Sequence, residues 1–282
     1  MTGPDAGAEA VYPTFGESLP SCELTAGRYV LRFAQDRADL EAVQRLRFEV
    51  FNLELGEGFA ESYRTGRDQD ELDWHFHHLV ITHGRTGPVV GTYRMQTVDM
   101  ARQAAGFYSA AEFDLDTIPR SVLAESVEIG RACVARDHRN GRVVHLLWRG
   151  LAAYLKWNSK RHLFGCCSLT TQDFGVAERA WRHLIDRGYV HDSLAVAPLP
   201  EVRCEPVDAE ADEPGGGNII PALFQSYLNL GARVCSRPAI DRCFKTIDFL
   251  VTLDTADLDP RVYRAFFRGL PSRRDALASS PS

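Results

Sequence analysis

The sequence contains no apolar run near the roughly 20 residues a membrane-crossing helix needs, and its first residues, MTGPDAGAEAVYPTF, have neither the basic start nor the apolar core of a secretory signal. The expected location is the cytoplasm. There is no CxxC or other zinc-type spacing, and the seven cysteines are odd in number and mostly set in apolar runs. This pattern suits a reducing compartment and argues against a disulfide scaffold. There is no basic excess either: 32 Lys+Arg stand against 38 Asp+Glu, a formal charge of -6, which offers nucleic acid no general attraction. Internal repeats are also missing. What remains is a 282-residue chain, 45% hydrophobic and 25% charged, long enough to bury its own core without staples.

Residues 1–26 are rich in Gly, Ala, Pro and Ser and are expected to be a disordered leader. RYVLRFA then alternates as a strand, and residues 37–51 follow as an amphipathic helix with Leu40, Val43, Leu46, Val50 and Phe51 on its apolar face. HFHHLVITH and PVVGTYRMQT read as an antiparallel hairpin joined by GRTG, and residues 101–122 as a polar insert. SVEIGRACV is a strand, NGRVVHLLWRGLAAYLKW a strong helix, RHLFGCCSL a strand and VAERAWRHLIDRGY a helix. Such short joints imply a right-handed crossover and parallel pairing. Residues 196–217 form an acidic Pro/Gly loop, after which helical PALFQSYLNL, a strand near GARVCS, a connector RPAIDRCFKT and the strand IDFLVTLD complete one domain over residues 27–270. Residues 271–282 read as a disordered tail. The pattern describes an α/β mixed sheet with helices on both faces.

One group of charges recurs across several elements: Arg47 and Phe51 one helical turn apart, Asp68-x-Asp70-x-x-Asp73 in the next loop, Arg94 after VVGTY, and Glu128-x-x-Arg131 on a strand. Glu128 and Arg131, three apart, point to opposite faces unless a bulge intervenes. In order and approximate spacing this set resembles the acyl-homoserine lactone synthases, where the first acid of the triplet is usually Glu. That resemblance implies a GNAT-like N-acyltransferase fold: a mostly antiparallel sheet whose splayed central strands admit a pantetheine arm. It also implies that these residues build the amine-substrate side of the site or organise the loop beside it.

In ARDHRNGRVVHLLWRGL a strand passes through a basic turn to a helix N-terminus, which offers N–H groups to an anion. Val134, Arg136, Arg139, Asn140, Gly141 and Arg142 are the candidates for holding a phosphopantetheine. His138 and Val143 stand at the two ends of a run where GNAT enzymes that use acetyl-CoA carry Gln or Arg and then Gly or Ala, so acyl-CoA is less favoured than a carrier protein whose arm has one phosphate. From Arg131 to Arg161 eight basic residues accompany one acid, Asp137. An acidic acyl carrier protein is the partner such a patch would steer in.

EIGRACV, RNGRVVHLLWRGLAAYL, LFGCCSL and LGARVCSRPAIDRCFKTIDFLVTLD resemble the ornithine N-acyltransferases that begin bacterial ornithine-lipid synthesis, over roughly residues 28–268. FYSAAEFDL and LRFEVFNLELGEG share the resemblance. It implies transfer of a long-chain, often 3-hydroxylated, acyl group from acyl carrier protein to the α-amine of a free amino acid, ornithine first among them, with no resident cofactor and no metal. Glycine or another amino acid as acceptor, homoserine-lactone synthesis, and a non-catalytic lipid or carrier-binding module are the alternatives. A long-chain product has to reach the bilayer, so peripheral membrane contact is expected.

For the chemistry, Glu128 is the candidate proton acceptor, and backbone N–H groups near Ala132 to Val134 are candidates for holding the thioester carbonyl. Gln172, Asp173 and Phe174 are candidate pocket residues, and Trp148 and Trp157 packing residues. Cys133, Cys166 and Cys167 read as small core side chains. On a strand His75 and His77 share a face and His78 opposes them, a poor set for a metal.

Overall fold

A computed structural model describes residues 12–205 and 219–278. The chain runs β1 (Leu24–Ala26), β2 (Tyr29–Phe33), α1 (Arg37–Arg47), α2 (Ser62–Thr65), β3 (His77–His83), β4 (Val89–Thr97), α3 (Val98–Gln103), α4 (Arg120–Ala124) and β5 (Ser126–Val134). It continues through α5 (Gly141–Trp157), β6 (His162–Leu169), α6 (Phe174–Asp186), α7 (Ala222–Asn229), β7 (Arg233–Val234), β8 (Ala239–Asp241), β9 (Thr246–Asp254), α8 (Pro260–Phe267) and α9 (Arg273–Ala278). The strands form one sheet in the order β1-β2-β3-β4-β5-β6-β9-β7, with β8 also on β9. Every neighbour pair is antiparallel except β5 with β6, where α5 supplies the crossover.

Helix α5 carries one face of the sheet. Asn140 caps it, and Val143, Leu146, Leu147, Gly150, Leu151 and Tyr154 recur at three- and four-residue intervals and are buried against β2 and β3. A Cβ on Gly150 would sit 1.9 Å from Leu79 Cδ1, so glycine is what lets the helix lie this close to the sheet. Helices α6 and α7 extend this layer: Trp181 stacks on Phe249 and Phe224 packs against the same ring. The opposite face is covered by α1 and by the segment between β4 and β5.

Four expectations need correction. Residues 1–11, 206–218 and 279–282 lie outside the described residues, but from residue 12 onward the leader is folded: Tyr12 and Leu19 are buried, and β1 pairs with β2. Its small and polar composition masks these few apolar anchors. The helix read over residues 37–51 is α-helical only to Arg47; Phe48–Glu54 winds wider, as in the Leu55 N–H to Val50 carbonyl bond at 3.1 Å. The insert is not merely polar, because Phe113, Leu115 and Ile118 bury with Phe164 and Leu250 as a second core. The tail begins as helix α9, and Ser272 accepts from and donates to Asp275 at its start.

Candidate active site

Arg47, Asp68 and Asp73 are all fully buried, and together with Arg94 and Asp70 they form one ion-pair network. Arg47 Nε donates to Asp68 Oδ1 at 2.7 Å, and its two Nη atoms donate to Asp73 at 2.8 and 3.1 Å. Arg94 Nη1 reaches Asp70 at 2.6 Å and Asp73 at 3.0 Å. Asp70 caps the turn Glu71–Trp74, which fixes where Asp73 points. Burial alone would raise the Asp73 carboxyl, but the guanidiniums of Arg47 and Arg94 and the hydrogen bond from His78 hold it well below the usual carboxylate range. Arg47 and the three aspartates are absent from the cavity wall, whereas Phe51, Arg94 and Arg131 are on it. The network therefore ties the loop to α1 and β4 from behind the cavity wall.

A bulge reunites Glu128 with Arg131. Thr92 pairs with Cys133 and Arg94 with Gly130, so Tyr93 opposes two residues, Arg131 and Ala132, and Arg131 takes a φ of 49°. Its guanidinium lies over Phe244 at 4.0 Å and Tyr108 at 5.0 Å, and donates to the Tyr108 hydroxyl at 3.4 Å. Asp68 and Asp70, at 3.6 and 3.7 Å, pair with it in charge but not by hydrogen bonds.

Strands β5 and β6 stay in register for only three pairs, ending at Glu128 with Phe164. Beyond that point they part, and a cavity of about 240 Å³ fills the seam. Gly165 sits where they separate: a Cβ there would come within 2.1 Å of the Ile129 carbonyl oxygen. Alternation along β6 and β9, with Ser168 opposite Asp248 and Cys167 opposite Phe249, gives the cavity two unlike ends. On one side of the sheet it is lined by Glu57, Tyr108, Glu128, Arg131, Ser168 and Asp248. On the other it is lined by Trp148, Leu163, Leu223, Phe224, Tyr227 and Val251. Tyr227 is tied to Tyr93 by a hydroxyl–hydroxyl hydrogen bond, which joins α7 to β4 across the apolar end.

Glu128 reaches the cavity with its oxygens already engaged. Oε2 accepts from Gln96 Nε2 at 2.7 Å and the Tyr108 N–H at 3.0 Å; Oε1 accepts from the Ser109 N–H at 2.7 Å and its hydroxyl at 2.6 Å. Four donors thus engage both carboxylate oxygens. Its evident work is to anchor the Tyr108–Ser109 turn over the site. Glu57 is differently placed: it too is buried on the cavity wall, among the described residues accepts from the Thr170 hydroxyl alone, and burial raises its carboxyl above the usual range. The thiols of Cys133, Cys166 and Cys167 are pushed up by burial, so none is a ready nucleophile.

At the mouth of the seam, the Ala135 N–H donates to the Val90 carbonyl on β4 at 2.9 Å. By alternation the Val134 N–H faces the other way, toward the parted edge. The helix start after it is already capped, since Asn140 Oδ1 accepts from the N–H groups of Arg142 at 3.1 Å and Val143 at 3.3 Å. Arg139 is held bidentately by Glu54 at 2.6 and 2.7 Å, while Arg136 and Arg142 have no ion pair among the described residues.

Two expectations fail locally, for Gln172–Phe174 and for Trp148. Gln172, Asp173 and Phe174 do not line the cavity; Asp173 caps α6 through the Gly175 and Val176 N–H groups. Trp148 lines the apolar end as well as packing, whereas Trp157 donates to the Glu17 carbonyl. His77 bonds Tyr154 and the Thr14 carbonyl and His78 bonds Tyr12, so both are structural. Glu57, Tyr108, Phe244 and Asp248 join the site without standing out in the sequence. For Asp248 a signal existed: it is the one acid inside IDFLVTL, an otherwise apolar strand.

Comparison with known proteins agrees with this architecture. The family model of the acetyltransferase (GNAT) domain matches residues 46–149. The L-ornithine N(alpha)-acyltransferase of Rhodobacter capsulatus is 33% identical over 251 residues, covering 85% of this chain and 94% of that protein. The enzyme of the same description from Brucella abortus is 31% identical over 280 residues, covering 93% and 95%. Among solved structures, the acyl-homoserine lactone synthase LasI aligns with a TM-score of 0.45 at 12% identity, covering 86% of this chain and 96% of that one. The N-acyl amino acid synthase FeeM from uncultured soil microbes aligns with a TM-score of 0.45 at 11% identity and the same coverage.

Proposed function

The chain belongs to the family of L-ornithine N(alpha)-acyltransferases, and from that membership we propose that it moves a long-chain acyl group from acyl carrier protein to the α-amine of L-ornithine, opening ornithine-lipid synthesis. The observation that carries this reading is the cavity through the parted β5–β6 seam, polar at one end and apolar at the other. A thioester threaded along the seam has its acyl chain among Trp148, Phe224 and Tyr227 and its carbonyl within reach of an amine on the Glu57–Asp248 side.

Acyl transfer needs an unprotonated amine and donors for the oxyanion. The Val134 N–H is the donor we assign to the thioester carbonyl. Glu57, rather than Glu128, is the proton acceptor we assign, because burial raises its basicity and its second oxygen has no donor among the described residues. Collapse of the tetrahedral intermediate then forms the amide, and the phosphopantetheine thiolate leaves and takes up the proton. A carrier protein is favoured over CoA because Asn140 already occupies the two helix N–H groups that would grip a second phosphate, while Arg136 and Arg142 remain available to an acidic surface.

The test is thiol release by the purified protein with 3-hydroxyhexadecanoyl and hexadecanoyl donors, each as the carrier-protein and the CoA thioester, with and without L-ornithine. The reading requires release that depends on ornithine and is faster from the carrier protein. Equal rates from CoA would overturn the donor assignment, and release that does not depend on ornithine would overturn the function.

A further inference from the structure

We propose that Asp248, with Glu112 behind it, is the seat for the second ammonium group of a diamino-acid acceptor and sets the enzyme's choice of amino acid. This inference rests on the ornithine reading above. Asp248 lies on β9 at the polar end of the cavity and is 2% exposed; Glu112, on the segment covering that face, is 4% exposed. Asp248 Oδ1 and Glu112 Oε2 are each buried without a hydrogen-bond partner. Oxygens of the two carboxyls and Cys166 Sγ lie within 4.8 Å of one another. Two carboxylates facing each other with orphaned oxygens ask for a donor or a cation between them.

The Ser168 and Thr246 hydroxyls and the Arg131 charge bear on Asp248, and the two carboxyls bear on each other, yet these two oxygens stay without a partner among the described residues. Asp241, the third acid nearby, accepts from the Cys243 and Phe244 N–H groups and from Tyr108. Arg131 is the nearby guanidinium, but it also faces Asp68 and Asp70. Burial, and then mutual repulsion, hold the Glu112 carboxyl above its usual range, and burial does the same for Asp248. A primary ammonium is a compact three-donor cation that fits the orphaned oxygens, and it would let both carboxyls ionise. Divalent zinc is less suited, because the Cys166 thiol is held protonated by burial and by the same two acids.

The experiment compares L-ornithine with L-norvaline, which has the same carbon chain without the terminal ammonium, using the full chain and hexadecanoyl carrier protein. The wild type is expected to favour ornithine by about 100-fold in kcat/KM. In Asp248→Asn, and separately in Glu112→Gln, that ratio is expected to fall to about 10-fold or less, with the thermal midpoint monitored to exclude unfolding. An unchanged ratio in two folded variants would overturn the seat and leave the ornithine reading standing. Acylation of neither amino acid by the wild type would overturn the parent reading and the seat with it. Stoichiometric zinc retained by the wild type on dialysis and lost from Asp248→Asn would also overturn the seat, in favour of a metal site.

Discussion

Arg47 and Asp73 meet as a bidentate pair, at 2.8 and 3.1 Å, in a place where both side chains are fully buried. The pair fastens the loop before β3 to helix α1 and so sets one wall behind the cavity. Arg47→Met removes, among the described residues, the one side chain that bonds both Asp68 and Asp73, leaving Asp73 to Arg94 and Asp68 to the longer contact with Arg131. The expected loss is about 3–5 kcal/mol of unfolding free energy. Urea denaturation checks it, and a loss under about 1 kcal/mol would contradict the role.

Glu57 and Glu128 are both buried carboxylates on the cavity wall, and their substitutions should part company. Glu57→Gln is expected to lower kcat by about 100-fold and to remove the acid limb of the kcat–pH profile, with little change in thermal midpoint. Glu128→Gln leaves donors at Tyr108 and Ser109 facing one another and is expected to cost about 2–4 kcal/mol of stability. Parallel kcat–pH and melting measurements decide between them. The assignments reverse if Glu128→Gln keeps its stability while losing the acid limb.

Acid should weaken the fold through two buried histidines. Burial pushes His77 down to about 4 and lowers His78 as well. A histidine of lowered pKa takes up its proton first in the unfolded chain, so its contribution is complete above about pH 6.5 and is lost as pH falls toward 4. His77 alone accounts for about 2 kcal/mol between pH 7 and pH 5. Urea midpoints at the two pH values measure it, and His77→Gln, which can still bond Tyr154 and Thr14, is expected to flatten the slope. An equal slope in the variant would show that His77 is not the source.

Arg136 and Arg142 test the docking surface. Reversing both to Glu is expected to raise KM for acyl carrier protein more than tenfold at low salt and to abolish the salt dependence of kcat/KM. Stopped assays across salt concentrations read this directly. Unaltered salt dependence would move the docking surface elsewhere.

The parts of the fold visible in the sequence are those with a clean period. Alternation in SVEIGRACV and the 3.6-residue stripe behind Asn140 mark β5 and α5 because each buries one face. The loop acids could be grouped with Arg47 and Arg94 from spacing, but whether they meet substrate depends on which side of the α1 wall they fall. The bulge at Arg131 could be posed but not located, since it rests on a positive φ in a non-glycine residue. Tyr108 and Phe244 come to Arg131 from segments read as insert and connector, far apart in the chain, and no local pattern records that meeting.

The most direct measurement offers the purified protein hexadecanoyl and 3-hydroxyhexadecanoyl carrier protein with an equimolar pool of free amino acids, and identifies the acylated products by fragmentation mass spectrometry. The expected result is ornithine as the main acceptor, acylated on its α-nitrogen, with the terminal ammonium intact. A main product on another amino acid, or on the δ-nitrogen of ornithine, would contradict the proposed acceptor and its orientation in the seam.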